Sequence, residues 1–290
     1  MNERIPIVLK ADGDCAYAEA LAAHLKTTLL HTTPDAPVWL SVDAAGLSLT
    51  DGDQAMRGDF TKLQKRLQYH NLTHELLVKA TKVKGREKLR VIDATAGMGE
   101  DSLLLAAAGC EVTLFEQDPV IAALLQDTMR RALEEAALHE IVMRMQLVEG
   151  DSIDHLRRLG EAATGSDAPE DDAGHACSTL AASAATGNDA AAATNGADTA
   201  LKRPDVIYLD PMFPERQKSG LVKKKFQLIH YLEAPAENEE ALMQAAIAAR
   251  TFKIVVKRPA KGPYLAGLKP SYSLDGKAIR YDCYVFPENA

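Results

Sequence analysis

The stretch LRVIDATAGMGEDSLLLAAAGCEVTLFE, residues 89–116, decides the fold. LRVIDATA is a short apolar run, GMGED a glycine-punctuated loop, SLLLAAAG a buried-helix composition, and CEVTLFE a second strand. Gly109 stands where a helix end takes a left-handed residue. The rhythm continues outward: a helix over PVIAALLQDTMRRALEEA (119–136), a strand over MRMQLVEGD (143–151), a strand DVIYLD (205–210), a helix around Glu237 to Ala249 and a strand FKIVVK (252–257). A hairpin, SYSLDGKAIRYDCYVF (271–286), closes the chain with a turn at Asp275 and Gly276. Strands alternating with helices make right-handed βαβ units. The expected fold is therefore α/β, a mostly parallel doubly wound sheet with a C-terminal antiparallel hairpin.

Upstream, residues 1–58 read as a small α+β N-terminal subdomain: a strand at Ile5 to Leu9, an amphipathic helix near Tyr17 to Leu29, and a hairpin from Val38 to Leu49 turning at Asp43 to Gly46. The main domain spans 59–290. It begins with a helical stretch from about Phe60 to Lys82, carrying Leu63, Leu67, Leu72, Leu76, Leu77 and Ala80 at helical spacing, with an interruption around Asn71. Inside it, residues 161–200 are small and mildly acidic with almost nothing large to bury, which predicts a long mobile low-complexity insertion; an Ala-rich helix is the alternative.

The 290 residues carry a net charge of -8, which argues against a protein that coats nucleic acid indiscriminately. The cations nevertheless gather late. Between Lys202 and Lys225 seven of them face only Asp205, Asp210 and Glu215, and from Arg250 onward they again outnumber the acids. No apolar run approaches the roughly 18 residues needed to span a bilayer, and the N-terminus, apolar only from Ile5 to Leu9, lacks a signal peptide's long apolar region, so a cytoplasmic location and no membrane partner are expected. Cys15, Cys110, Cys177 and Cys283 are scattered without a Cys-x-x-Cys pair, which suggests neither a disulfide framework nor a zinc site. His70 and His74 lie four apart beside Glu75 but lack a third ligand, so they read as a solvated or RNA-facing helix and no metal is expected. Oligomeric state is not legible.

In residues 91–101 a strand runs into Gly97 and Gly99 and then a helix, which lets a ligand approach the backbone at a topological switch point. Glu116 ends the next strand, where such folds hold ribose hydroxyls. A dinucleotide would bring its pyrophosphate against Glu100 and Asp101, and Ser102 stands where the fingerprint continues toward a third glycine. S-adenosylmethionine carries an ammonium, a sulfonium and one carboxylate, so Asp93 and Asp101 become favourable neighbours. Alternatively, Glu100 and Asp101 merely serve the helix dipole. Asp151 and Ser152 follow the third core strand, where a carboxylate could take an adenine amine or simply cap a short helix.

VIYLDPMFPERQKSGLVKKK, residues 206–225, ends the fourth core strand on Asp210. Pro211 keeps the next residues out of a helix and leaves carbonyls free. A carboxylate and a carbonyl accepting both hydrogens of an exocyclic base amine would aim its lone pair at a methyl donor. Phe213 would stack the extruded base, and Lys218, Lys223, Lys224 and Lys225 would hold phosphates. Lys257 and Arg258, in VVKRPAKGPY, are candidates to guide RNA backbone, or else belong to a surface loop. The plain alternative for the whole segment is a buried strand followed by a proline turn.

VIDATAGMGEDSLLLAAAGCEVTLFEQDPVIAALL, VIYLDPMFPERQKSGLVKK and KIVVKRP resemble the ribosomal RNA small subunit methyltransferase J family, over about Phe60 to Phe286 without the insertion. The resemblance implies a Rossmann-like class I methyltransferase fold, S-adenosyl-L-methionine as cofactor, and methylation of the exocyclic N2 of one guanine in 16S ribosomal RNA. It implies donor contacts at Glu100 and Asp101, Glu116 and Gln117, Asp151 and Ser152, and Asp210. Glu100 replaces an expected basic residue, and QKRLQYHNLTHELLVKA lacks the family's glycine-rich patch. Two other classes share these features: a nucleotide-dependent oxidoreductase, which would leave Asp-Pro-Met-Phe-Pro unexplained, and a non-catalytic RNA-binding protein using the late cations alone.

Overall fold

The computed structural model describes residues 5–164, 203–211, 228 and 238–289. The N-terminal residues build a five-stranded sheet of order β2-β1-β3-β4-β5 from β1 (Ile7–Leu9), β2 (Leu29–Leu30), β3 (Trp39–Asp43), β4 (Gly46–Thr50) and β5 (Ala55–Met56). Helix α1 (Cys15–His24) is capped by Asp14, whose carboxylate accepts from the Tyr17 amide at 3.0 Å. It stops earlier than its apolar pattern suggests. Lys26 turns to φ 51°, and Leu29 and Leu30 pair in parallel with β1 instead of continuing the helix. Trp39 is buried at the start of β3 with its ring over Gly52.

A 3-10 turn at Phe60–Leu63 and three short helices follow: α2 (Gln64–Leu67), α3 (Tyr69–Leu72) and α4 (Leu76–Thr81). The expected single interruption near Asn71 becomes two, at Gln68 (ψ 136°) and Glu75 (ψ 126°), where the backbone turns extended. Side chains clasp the resulting knuckle. Asn71 donates to the Lys65 carbonyl at 2.6 Å, and the Arg66 guanidinium meets both Glu75 oxygens at 2.8 and 3.0 Å.

The main sheet is assembled from β6 (Arg90–Asp93), α5 (Glu100–Ala107), β7 (Glu111–Glu116), α6 (Pro119–Leu133), α7 (His139–Val142), β8 (Met145–Glu149), α8 (Ser152–Thr164), β9 (Val206–Leu209), α9 (Glu239–Ala248), β10 (Lys253–Pro259), β11 (Tyr272–Asp275) and β12 (Ile279–Val285). Its seven strands run β11-β12-β10-β9-β6-β7-β8. The five from β10 to β8 are parallel, while β12 is antiparallel to both neighbours. Period-two alternation splits the strands between two apolar layers. Val91, Tyr208 and Val255 pack with Leu103 and Leu105 of α5 on one face, and Ile92, Ile207 and Ile254 pack with Leu156 of α8 and Met243 of α9 on the other. Residues 161–164, read as the start of the insertion, continue α8; 165–200 lie outside the described residues.

The two sheets share α6. Ala123 and Leu124 are buried with Leu40, Leu47 and Leu49 of the N-terminal sheet. Beside them the buried Asp127 accepts from the Leu47 amide at 3.0 Å and pairs with Arg130 and Arg131, while Arg131 donates to the Gly58 carbonyl at 2.7 Å. Among the described residues no helix is long and apolar enough to cross a membrane.

Candidate active site

The chain reverses its direction of travel across the sheet between β6 and β9, so the loops leaving these two strands diverge and open a crevice at their C-terminal ends. Asp93 ends β6, Glu116 ends β7 and Asp210 follows β9, so strand pairing alone collects three acids on one edge.

The loop after β6 is built by two glycines with different duties. Gly99 (φ 73°) is packed: a Cβ there would lie 2.6 Å from Leu125 Cδ1 and 3.4 Å from Phe60 Cζ. Gly97 (φ 52°) faces open space, with no atom within 4 Å of where a Cβ would sit. Two carboxylates hold this loop. Asp93 accepts from the Thr95 amide at 3.1 Å and from the Ser102 hydroxyl at 2.5 Å; being 1% exposed, its carboxyl is pushed up to about 7 by burial. Glu116 accepts from the Gly97 amide at 2.9 Å and the Asp118 amide at 2.8 Å. Burial raises its carboxyl too, against the lowering effect of those amides.

Across the crevice a four-member cluster forms. Lys257, on β10, donates to Asp101 at 2.7 Å and to Asp210 at 2.8 Å, and the Tyr208 hydroxyl donates to Asp101 at 2.6 Å. The Asp210 amide donates to the Thr95 hydroxyl at 2.6 Å, tying the exit of β9 to the loop after β6. Asp210 is raised above the usual carboxylate range because burial outweighs the adjacent Lys257 ammonium. Lys257 itself is raised, since the two acids overcome the cost of burying it.

The other residues expected here divide. Ser152 is buried at the start of α8, and the exposed Asp151 accepts from the Ile153 amide at 2.8 Å, so it caps that helix. Glu100 and Gln117 are exposed beside Asp101 and Glu116, and Pro211 is buried. Two expectations are corrected. Lys257 is not on an open RNA track, because both its carboxylate partners neutralise it inside the crevice. Arg258 points to the opposite face of β10, where its side chain is 1% exposed, meets Glu239 at 2.9 Å and donates to the Pro263 carbonyl at 3.1 Å. Phe213, Lys218, Lys223, Lys224 and Lys225 lie outside the described residues. Tyr208 and Thr95 were not anticipated; the signal for Tyr208 was a lone hydroxyl in an otherwise aliphatic strand, which needs a partner when buried.

These residues fit S-adenosylmethionine. Gly97 leaves room for close approach, Glu116 keeps free lone pairs for ribose hydroxyls, and Asp101 with Asp210 already stabilises a cation between them. A pyrophosphate would meet the same two acids and be repelled.

Comparison with known proteins agrees. A family model described as "Putative SAM-dependent methyltransferase" matches residues 23–165 and 181–286. The ribosomal RNA small subunit methyltransferase J of Thioalkalivibrio sulfidiphilus (strain HL-EbGR7) is 38% identical over 290 residues, covering 98% of each chain. That of Pseudomonas fluorescens (strain SBW25) is 36% identical, covering 97% of this chain and 94% of its own. The crystal structure of the SAM-dependent methyltransferase NGO1261 from Neisseria gonorrhoeae superposes with a TM-score of 0.67 at 26% identity, over 97% of this chain and 95% of that one. The fold is thus that of a Rossmann-like class I methyltransferase, and the chain belongs to the ribosomal RNA small subunit methyltransferase J family as an S-adenosylmethionine-dependent enzyme.

Proposed function

We propose that this enzyme methylates the exocyclic N2 amine of a guanine in the 16S ribosomal RNA of the small subunit, in the cytoplasm. The observation that carries the reading is Asp210, set at the switch point beside Pro211 and sharing one cation with Asp101.

When bound against Gly97, Asp101, Glu116 and the Asp151–Ser152 turn, S-adenosylmethionine supplies an electrophilic methyl group. The chain's own task is to present the nitrogen. An aromatic amine is a weak nucleophile because its lone pair is delocalised into the ring. Asp210 and the carbonyl that follows it accept the two amine hydrogens and localise that pair. Thr95 fixes the turn by holding the Asp210 amide. Phe213 stacks the base, and Lys218 with Lys223 to Lys225 neutralises neighbouring phosphates. The proton departs after transfer, so no dedicated base is needed.

The test is transfer of labelled methyl to unmodified small subunits, followed by nucleoside analysis of the digested RNA. N2-methylguanosine should form with wild type and fall by orders of magnitude with Asp210→Ala, at unchanged thermal stability. Near-normal turnover by the variant would remove Asp210 from this role. Label appearing in another nucleoside would replace the base.

A further inference from the structure

Tyr69 is 84% exposed, the most exposed large hydrophobic side chain among the described residues. Leaving a tyrosine ring in water forgoes the stabilisation its burial would bring, so a rigid frame that displays one suggests a partner. The frame here is tied by side-chain bonds. The two clasps described above lock residues 65–75, and Leu72 is anchored against Val78 and Leu104.

The surroundings are basic. From Phe60 to His74 the chain carries Lys62, Lys65, Arg66, His70 and His74, with Asp59 pairing with Lys62 at 3.1 Å at one end and Glu75 with Arg66 at the other, in a protein of net charge -8. All five are exposed, and the other exposed neighbours, Gln64, Gln68 and Asn71, are polar. That composition lacks the contiguous apolar area of a protein-docking patch. The knuckle also adjoins the crevice through Arg66, which lies close enough to Asp101 and Glu100 to feel their charge. Arg66 has its basicity raised first by Glu75 and then by Asp101 and Glu100.

We propose that this knuckle is an RNA-docking platform, on which a single-stranded base flanking the target stacks against Tyr69 while Lys65 takes its phosphate. The inference rests on the RNA substrate proposed above.

Steady-state methylation of unmodified small subunits by full-length Tyr69→Ala, Tyr69→Phe and Lys65→Ala tests it, with donor affinity measured calorimetrically on the same proteins. Tyr69→Ala should raise KM for subunits about tenfold or more, as loss of one stacked base does, while donor Kd stays at the wild-type value. Tyr69→Phe keeps the ring and should restore KM. Lys65→Ala should flatten the dependence of log affinity on log salt by about 0.7, one phosphate's worth on a single strand. A wild-type KM in Tyr69→Ala, or an equal loss of donor affinity, overturns the platform. Absence of transfer by wild type removes the substrate itself and the platform with it, so the control distinguishes the two failures.

Discussion

At the scale of single residues, the informative pair is Asp210 and Lys257. To accept amine hydrogens Asp210 must be ionised. Burial raises its carboxyl and Lys257 lowers it, the former being larger, so the acid limb of kcat/KM should lie above the ordinary carboxylate range. The sign of the next step follows: with the ammonium removed, the charged form of Asp210 is stabilised less and its pKa rises further. Lys257→Met should therefore shift the acid limb of the pH profile to higher pH. An unmoved limb would mean that Lys257 does not face ionised Asp210 during turnover. The Lys257 to Asp101 contact spans 156 residues of sequence, and nothing local in the chain announces it. Only the strand order brings β10 within two places of β6, with β9 between.

At the scale of elements, the loop between β6 and α5 is fixed from a neighbouring strand, since Glu116 holds the Gly97 amide from the end of β7. Glu116→Ala should weaken donor affinity about tenfold or more, the cost of losing hydrogen bonds to a charged group, with subunit KM little changed. Calorimetric titration of the donor decides it; unaltered affinity would reject the assignment of Glu116 to the ribose. Elements whose signals are local were legible in the sequence. Helix α6 announces itself with Asp118 at the cap, bonded to the Val120 and Ile121 amides, and Pro119 in the first turn. The hairpin of β11 and β12 is where its alternation puts it, but its turn lies two residues later than Asp275 and Gly276 suggest. Asp275 still pairs with Arg280, the Gly276 amide donates to the Ile279 carbonyl at 2.8 Å, and the chain reverses at Lys277 and Ala278. The breaks at Gln68 and Glu75 carry neither glycine nor proline, and tertiary packing of Leu67, Leu72 and Leu77 onto α5 and the sheet decides them. Of the candidate site, the acids at strand ends were legible because strand ends can be read from periodicity. The bonds between them were not, because they depend on register.

At the scale of the whole molecule, α6 is common property of two sheets. Asp127 sits at their junction with a fully buried side chain, serving a backbone amide of β4 and two arginines of its own helix. Asp127→Ala would leave the Leu47 amide without its acceptor and the Arg131 guanidinium short of its counter-charge in a half-buried setting. The expected cost is about 3 kcal/mol, in the range for breaking a buried charged network. Denaturant unfolding should show it as a lower midpoint, with the N-terminal sheet released before the main sheet. An unfolding free energy within about 0.5 kcal/mol of wild type, the usual range for surface changes, would show that apolar contacts through Ala123 and Leu124 suffice.

Trp39 lets that order of events be watched directly. It is the chain's one tryptophan, and it lies buried in β3. Its fluorescence therefore originates from the N-terminal sheet alone, while far-ultraviolet circular dichroism is dominated by the helices around the main sheet. Emission wavelength and access to a dissolved quencher become an intrinsic, label-free gauge of whether the two halves part company, in the wild-type chain as in any variant.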